Sequence, residues 1–196
     1  MKDTVIQKRV LLFTILVSLA LFITLIIQNE KLQPLNVAVN NAVVPFGLEY
    51  YIAFNMISSL GSIYLVPLVL LIACLVLWKR RKHREALWLL FASVTNYLAV
   101  NVIKVLTNVA RPEEIQRLIP QSFPSAHAST PFVVFILSYF FLVKQHKKGH
   151  VFVILGLVTL ITLSRVVLGV HWLMDVLGGL LLAIIWISGV LLLYKK

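Results

Sequence analysis

The sequence predicts an all-α, polytopic membrane protein with six transmembrane helices, on three observations. Of its 196 residues, 60% are hydrophobic and only 13% are charged, far from the balance of a water-soluble domain. Apolar stretches close to the length that crosses a bilayer, about 20 residues, recur along the whole chain between short charged segments. The basic residues, finally, are distributed so that the connections alternate between two sides.

The first span, Val10 to Ile27, follows a basic tail with Lys2, Lys8 and Arg9, and no clear small-residue cleavage site comes after it, so it reads as an uncleaved anchor. The connection from Gln28 to Asn55 places Leu35, Val39, Ala42 and Phe46 at helical spacing, with Gln33, Asn36 and Asn40 on another face. That pattern predicts a short helix lying in the outer interface. The second span is Met56 to Trp78. Its Cys74, the only cysteine, has no partner for an intramolecular disulfide and reads as a packing residue. The remaining spans are Ala86–Asn108, Ser129–Val143, Val151–Gly169 and Leu173–Leu193. No repeat or linker divides the chain, so residues 1–196 are expected to form one helical domain.

A net charge of +11 would suit a nucleic-acid binder, but the placement of the bases says otherwise. Thirteen of the 18 lie in the N-terminal tail, the loop from Lys79 to Arg84, the loop from Lys144 to Lys148 and the C-terminal Lys195 and Lys196. These segments share one side of a six-span chain, and the positive-inside rule makes that side, with both termini, cytoplasmic. The partner implied is the bilayer. His83, His146 and His150 fall in the same basic loops and read as solvated. Lys31, Lys104, Arg111, Arg117 and Arg165 are left on the outer side, where orientation does not account for them.

In span three, Ser93, Tyr97, Asn101, Lys104, Asn108 and Arg111 follow one another at steps of three or four, which keeps them on one helical face. Polar groups in hydrocarbon must find partners, so the stripe is expected to line a cavity or to bond neighbouring helices. Three clusters then stand at the outer ends of spans three to six. Lys104 and Arg111, seven residues apart, would lie on one helical face about 10 Å apart, with Pro112 ending the helix. They suit an anion, although Lys104 at the interface and Arg111 beside Glu113 or Glu114 would also be ordinary. Pro124, Ser125, Ala126 and His127 put a hydroxyl, backbone N–H groups and an imidazole beside a helix start, with Ser129, Thr130 and Pro131 as the helix start proper. Ser125 and Thr130 as simple caps are the plainer alternative.

The third cluster is Ser164 and Arg165, then His171 and Asp175. A four-residue separation on a helix sets the carboxylate one turn from the imidazole, where it can accept from Nδ1–H and leave Nε2 free to attack an electrophile. An Arg165–Asp175 salt bridge between helices is the structural alternative. The two outer histidines, three cations and one acid together suit phosphoryl transfer.

These clusters, Lys104 with Arg111 and Pro112, Pro-Ser-Ala-His at 124–127, and Ser164, Arg165, His171 and Asp175, resemble the three-part signature of the type 2 phosphatidic acid phosphatase (PAP2) family. Order and spacing agree, and the motifs run from Lys104 to Asp175. The resemblance implies a PAP2-type helical bundle and a metal-independent, cofactor-free phosphatase. In it His171 is the nucleophile, Asp175 orients it and His127 protonates the leaving group. Lys104, Arg111, Arg165, Ser125 and the Ala126 N–H would bind the phosphate. The family usually carries glycine at the position of Ala126, so that contact requires an ordinary backbone conformation there. The resemblance extends to vanadium haloperoxidases, which are soluble and hold a metal oxyanion, unlike a chain with six apolar spans. The expected activity is hydrolysis of a phosphomonoester or pyrophosphate of a membrane lipid at an outward-facing site. Undecaprenyl pyrophosphate, phosphatidylglycerophosphate and phosphatidic acid are the candidates, to be distinguished by loop residues such as Glu113, Glu114, Arg117 and Gln121. A transporter or flippase for a phosphorylated lipid is the competing reading, but neither an inverted repeat nor paired broken helices are evident.

Overall fold

A computed structural model describes residues 2–112, 120–145 and 147–194, with side chains from Val5 onward. Among the described residues there are eight helices: α1 (Lys2–Ile27), α2 (Asn29–Glu49), α3 (Tyr51–Ser59), α4 (Leu65–Lys79), α5 (His83–Thr107), α6 (Ala126–Leu142), α7 (Lys148–Val167) and α8 (Leu173–Tyr194). Among the described residues there is no strand. By length and composition α1, α5, α7 and α8 can each cross a membrane, while α4 and α6 are apolar but have only 15 and 17 residues.

Three expected boundaries move, each for a local reason. The second span does not run unbroken from Met56, because the chain leaves α3 at Leu60, passes through turns at 60–64 and enters α4 only at Leu65. Helix α5 stops before Arg111: Asn108 adopts the left-handed conformation (φ 47°) and returns its N–H to the Lys104 carbonyl. Asparagine tolerates that cap better than most residues, and the chain turns away four residues before Pro112. Helix α6 begins three residues early, at Ala126, with Ser125 as its N-cap. Pro131 therefore lies inside the helix, where its missing N–H leaves the His127 carbonyl without the usual intrahelical donor. The helix expected within 28–55 is present, but longer, as α2 and α3.

Helix α8 stands at the centre, packed against α1, α5, α6 and α7 and touched by α2. One core region gathers Leu77, Leu89, Leu137, Phe141, Ile187 and Val190, with Cys74 packed against it. Another joins Phe22, Val100, Phe123 and Leu182. At the end rich in basic residues, Arg80 Nη1 and Lys82 Nζ donate to the carbonyls of Leu142 (3.0 Å) and Phe141 (2.6 Å). Arg84 Nη2 donates to Tyr194 O at 2.8 Å, and its guanidinium lies 4.9 Å from the centre of the Tyr194 ring. These bases thus satisfy carbonyls that the C-termini of α6 and α8 leave unpaired. His83 is not simply solvated, since its ring packs 4.3 Å from that of Trp78. His146, Lys195 and Lys196 lie outside the described residues.

The opposite end holds the sequence motifs, and two glycines let it close. A Cβ on Gly178 would lie 2.4 Å from the Phe123 ring, and one on Gly179 would lie 2.5 Å from the Ser125 carbonyl oxygen and 2.8 Å from Ala128 Cβ. The second motif can therefore press directly against α8. Gly179→Ala is expected to cost about 1–3 kcal/mol through overpacking, seen as a lower thermal midpoint in detergent, whereas Gly156→Ala, where a Cβ meets nothing within 4 Å, should leave the midpoint unchanged or raised.

Candidate active site

Helix α8 supplies the first anchor. Asp175 lies in its first turn and is 1% exposed. Its Oδ2 accepts from the backbone N–H of Trp172 at 2.8 Å, satisfying a donor that the helix start leaves free. The same oxygen lies 3.1 Å from Nδ1 of His171, itself 2% exposed. On the other side of the ring, Arg111 Nη1 lies 3.2 Å from Nε2. A carboxylate only accepts and a guanidinium only donates, so these two neighbours select one tautomer. The proton sits on Nδ1 and the lone pair on Nε2.

The first two motifs close around that pair. Lys104, 3% exposed, does not reach to the interface: Nζ donates to the carbonyls of Gln121 (2.9 Å) and Ser122 (2.8 Å), which leaves one of its three N–H groups for a ligand. Ser122 Oγ lies 3.2 Å from Asp175 Oδ1, and Ser125 N–H donates to the Asp175 carbonyl at 2.9 Å. Ser125 occupies the N-cap position of α6 without making a capping bond, and its buried Oγ has no hydrogen-bond partner, so the simple-cap alternative does not apply. Ala126 follows as the first helical residue and is not among the residues with positive φ. Its N–H is one of the donors that helix geometry leaves without an intrahelical partner, and the backbone condition raised by its replacement of glycine is met.

Arg111 reaches His171 from the loop after α5 rather than from the helix, and also donates to Val170 O at 2.9 Å. The expected shared helical face with Lys104 is replaced by a turn that swings the guanidinium back over the imidazole. Arg165, 8% exposed near the end of α7, donates through Nη1 to Ser58 Oγ of α3 rather than pairing with Asp175. Ser164 turns its hydroxyl to the carbonyl of Ile161. His127, on the first turn of α6, lines a cavity of about 460 Å³ between α4, α5 and α6, together with Ala126, Thr130, Tyr97, Leu98 and Pro67. Most of its other walls are apolar.

Burial, and after it the positive charges of Arg111, Arg165, Lys104 and His127, hold His171 well below the ordinary histidine range. A neutral imidazole is what a nucleophilic role requires.

Of the polar stripe of α5, Ser93 and Lys104 are buried, and Tyr97, 44% exposed, lines the cavity together with Ser93. The fully buried polar residue is Asn96, outside the stripe, whose amide exchanges hydrogen bonds with Ser129 Oγ at 2.9 and 3.1 Å. Ser122 and Trp172 also escaped the sequence reading. Trp172 Nε1 donates to Ala110 O at 2.8 Å, tying the loop after α5 to the start of α8. The only signal for either was its place beside a motif residue. Glu113, Glu114 and Arg117 lie outside the described residues, whereas Gln121 Nε2 donates to Asn108 Oδ1 at 3.3 Å.

Comparison with known proteins bears on the family and the fold. The sequence profile of the PAP2 superfamily matches residues 85–196. Phosphatidylglycerophosphatase B of Bacillus subtilis (strain 168) is 35% identical over 140 residues, spanning 66% of this chain and 68% of that protein. The crystal structure of a transmembrane PAP2-type phosphatidylglycerolphosphate phosphatase from Bacillus subtilis superposes with a TM-score of 0.82 at 27% identity, covering 94% of this chain and 97% of that one. The crystal structure of Aquifex aeolicus LpxE gives a TM-score of 0.60 at 26% identity, over 83% and 94% of the two chains.

The low proton affinity of His171 has a measurable sign. As pH falls below about 6.5, the unfolded chain binds a proton there that the folded chain refuses, so this contribution to stability is present above that pH and is lost below it. The thermal midpoint in detergent should fall between pH 7 and 5.5, and by less in His171→Gln; identical slopes for the two proteins would contradict the assignment.

Proposed function

The chain belongs to the PAP2 superfamily, and on that premise we propose that it is a lipid phosphatase whose preferred substrate is phosphatidylglycerophosphate and whose intermediate is a phosphohistidine. That it is a phosphatase of the membrane-embedded kind rests on the family. The preference among lipid phosphates is drawn from the two relatives named for that substrate, with undecaprenyl pyrophosphate and phosphatidic acid as the competing substrates. The observation that carries the catalytic assignment is the fixed tautomer of His171, with its Nε2 lone pair facing the Arg111 guanidinium.

In the reaction the substrate phosphate takes the place of that lone pair as the partner of Arg111. Nε2 attacks phosphorus, the bond from phosphorus to the lipid oxygen breaks, and His127 gives that oxygen its proton. The imidazolium so formed keeps its Nδ1–H on Asp175. Arg111, Arg165, the third N–H of Lys104, Ser125 Oγ and the Ala126 N–H hold the phosphoryl oxygens as charge builds. Water, deprotonated by His127, then attacks phosphorus, the N–P bond breaks, and orthophosphate leaves with His171 neutral again. Because His127 borders the apolar cavity, in-line departure sends the lipid toward that cavity.

The whole of 1–196 acts as one domain crossing the membrane six times, through α1, α4, α5, α6, α7 and α8. The basic end is cytoplasmic and the site faces outward, as the positive-inside distribution supports.

Purified protein with EDTA is expected to release phosphate from phosphatidylglycerophosphate faster than from undecaprenyl pyrophosphate or phosphatidic acid. His171→Ala should reduce release at least about a thousandfold while the protein remains folded, and an acid-labile phosphoenzyme should be trapped from the parent alone. Undiminished turnover in His171→Ala would sink the nucleophile; no turnover on any lipid would favour the flippase. For sidedness, an impermeant thiol reagent on intact cells should label Gln28→Cys and spare Lys79→Cys, and the reverse pattern would place the site inside.

A further inference from the structure

Helices α2 and α3 contribute no residue to the family motifs, yet they contact the chain on both sides of His171. Asn36 of α2 is 1% exposed, and its Oδ1 accepts from the N–H of Met174, the second residue of α8, at 3.2 Å. Its Nδ2 is held by Gln33 Oε1 at 3.3 Å, which fixes the orientation of the amide. In the last turn of α2, Gly47 comes so close to the end of α7 that a Cβ would sit 1.9 Å from the Val167 carbonyl oxygen. Between these points Val44 lies against Gly169, where the chain turns with φ at +69°, and Val39 and Val43 pack with Ala128, Val166 and Val176. On α3, Ser58 is 2% exposed and its Oγ accepts from Arg165.

We infer that α2 and α3 form a positioning strap of the active site, in which Asn36 fixes the first turn of α8, and with it the His171–Asp175 pair, while Ser58 fixes the Arg165 guanidinium. The inference rests on the phosphatase reading of the site given above. Met174 lies between His171 and Asp175, and its N–H is one that the helix start cannot satisfy internally. A side chain from another helix that satisfies it sets the direction of that turn, as an N-cap does within one helix. Tilting the turn swings the carboxylate and the imidazole together, and misplacement by about 1 Å of a group that must attack in line costs about a hundredfold. The described hydrogen bonds of the Asn36 side chain go to the Met174 N–H and to Gln33, so its influence falls on the chemical step and not on substrate binding. Ser58 acts on the cation that grips the phosphate, so its influence falls on binding.

Two readouts test this. In kinetics on detergent-solubilised full-length protein, Asn36→Leu is expected to lower kcat about 10- to 100-fold with KM within about twofold. Asn36→Asp, which keeps the acceptor oxygen, should restore most of kcat. Ser58→Ala should raise KM, and weaken inhibition by orthovanadate, more than Ser58→Thr does. Leu35→Ala, on the exposed face of α2, serves as the control for general loosening of the helix. In 15N NMR of histidine-labelled protein without substrate, His171 should show the Nδ1–H tautomer in the parent and a mixture of tautomers in Asn36→Leu. If Asn36→Leu does not elute as a folded species, Asn36→Ser, too short to reach Met174, replaces it with the same expectations. A parent-like kcat and tautomer in either variant would overturn the strap. A parent that hydrolyses no lipid phosphate would count against the phosphatase reading, and the NMR comparison would still decide for or against the strap.

Discussion

The carboxylate of Asp175 is buried at the start of the central helix, and much of the surrounding structure exists to hold it there. Its oxygens are met by the Trp172 N–H, by Ser122 Oγ and by His171 Nδ1. A hydrogen bond to a charged group is worth about 1.5–3 kcal/mol, and leaving a buried charge without partners costs more. Each partner is fixed in turn by something further away. Ser122 is held by Lys104 through its carbonyl and by Val109 O through its N–H. Trp172 is held through its indole by Ala110 O. The three motifs, separated by up to 71 positions between Lys104 and Asp175, are thus joined by short polar contacts.

Two helices fall short of the bilayer, and both begin at this site. At 1.5 Å per residue, the 15 residues of α4 reach about 22 Å and the 17 of α6 about 25 Å, against a hydrocarbon thickness of about 30 Å. Their shortness leaves a recess, with the turns at 60–64 on one wall and the α6 N-terminus on another. The recess keeps His171 and Asp175 nearly dry while leaving His127 at the edge of an apolar cavity. Dry surroundings strengthen every charge contact to a bound phosphate.

What the sequence made legible is what local chemistry dictates. Hydropathy marked the long helices, because a lipid-facing helix must be apolar over nearly its whole length, as α1 and α8 are. The four-residue spacing of His171 and Asp175 pointed to their contact, but not through a shared helical face: His171 lies two residues before α8, and Asp175, in its first turn, reaches back to the Trp172 N–H and the imidazole. Less legible were features decided by one residue's backbone or by distant partners. The end of span three at Asn108 holds to within one residue, but the helical continuation to Arg111 fails at the left-handed Asn108, which hydropathy does not mark. Asn36 looks like an ordinary polar residue of an interfacial segment, and Ser58 like one near the start of the second span, until α8 and α7 fold against them. Asn96 lies next to the predicted polar face of α5, and only the approach of Ser129 turns it inward.

Helices α6 and α8 pack side by side and run in the same direction, with their amino ends at the site and their carboxyl ends at the basic end. Parallel neighbours place like ends of their dipoles together, which is electrostatically unfavourable. At the carboxyl ends the strain is relieved from within, by Arg80, Lys82 and Arg84. At the amino ends, among the described residues, three cations add to the positive potential and Asp175 opposes it. An anion held among these cations would ease the positive potential where the two amino ends meet. Occupancy and folding would then be linked quantities, since an anion that binds the folded site adds to its stability.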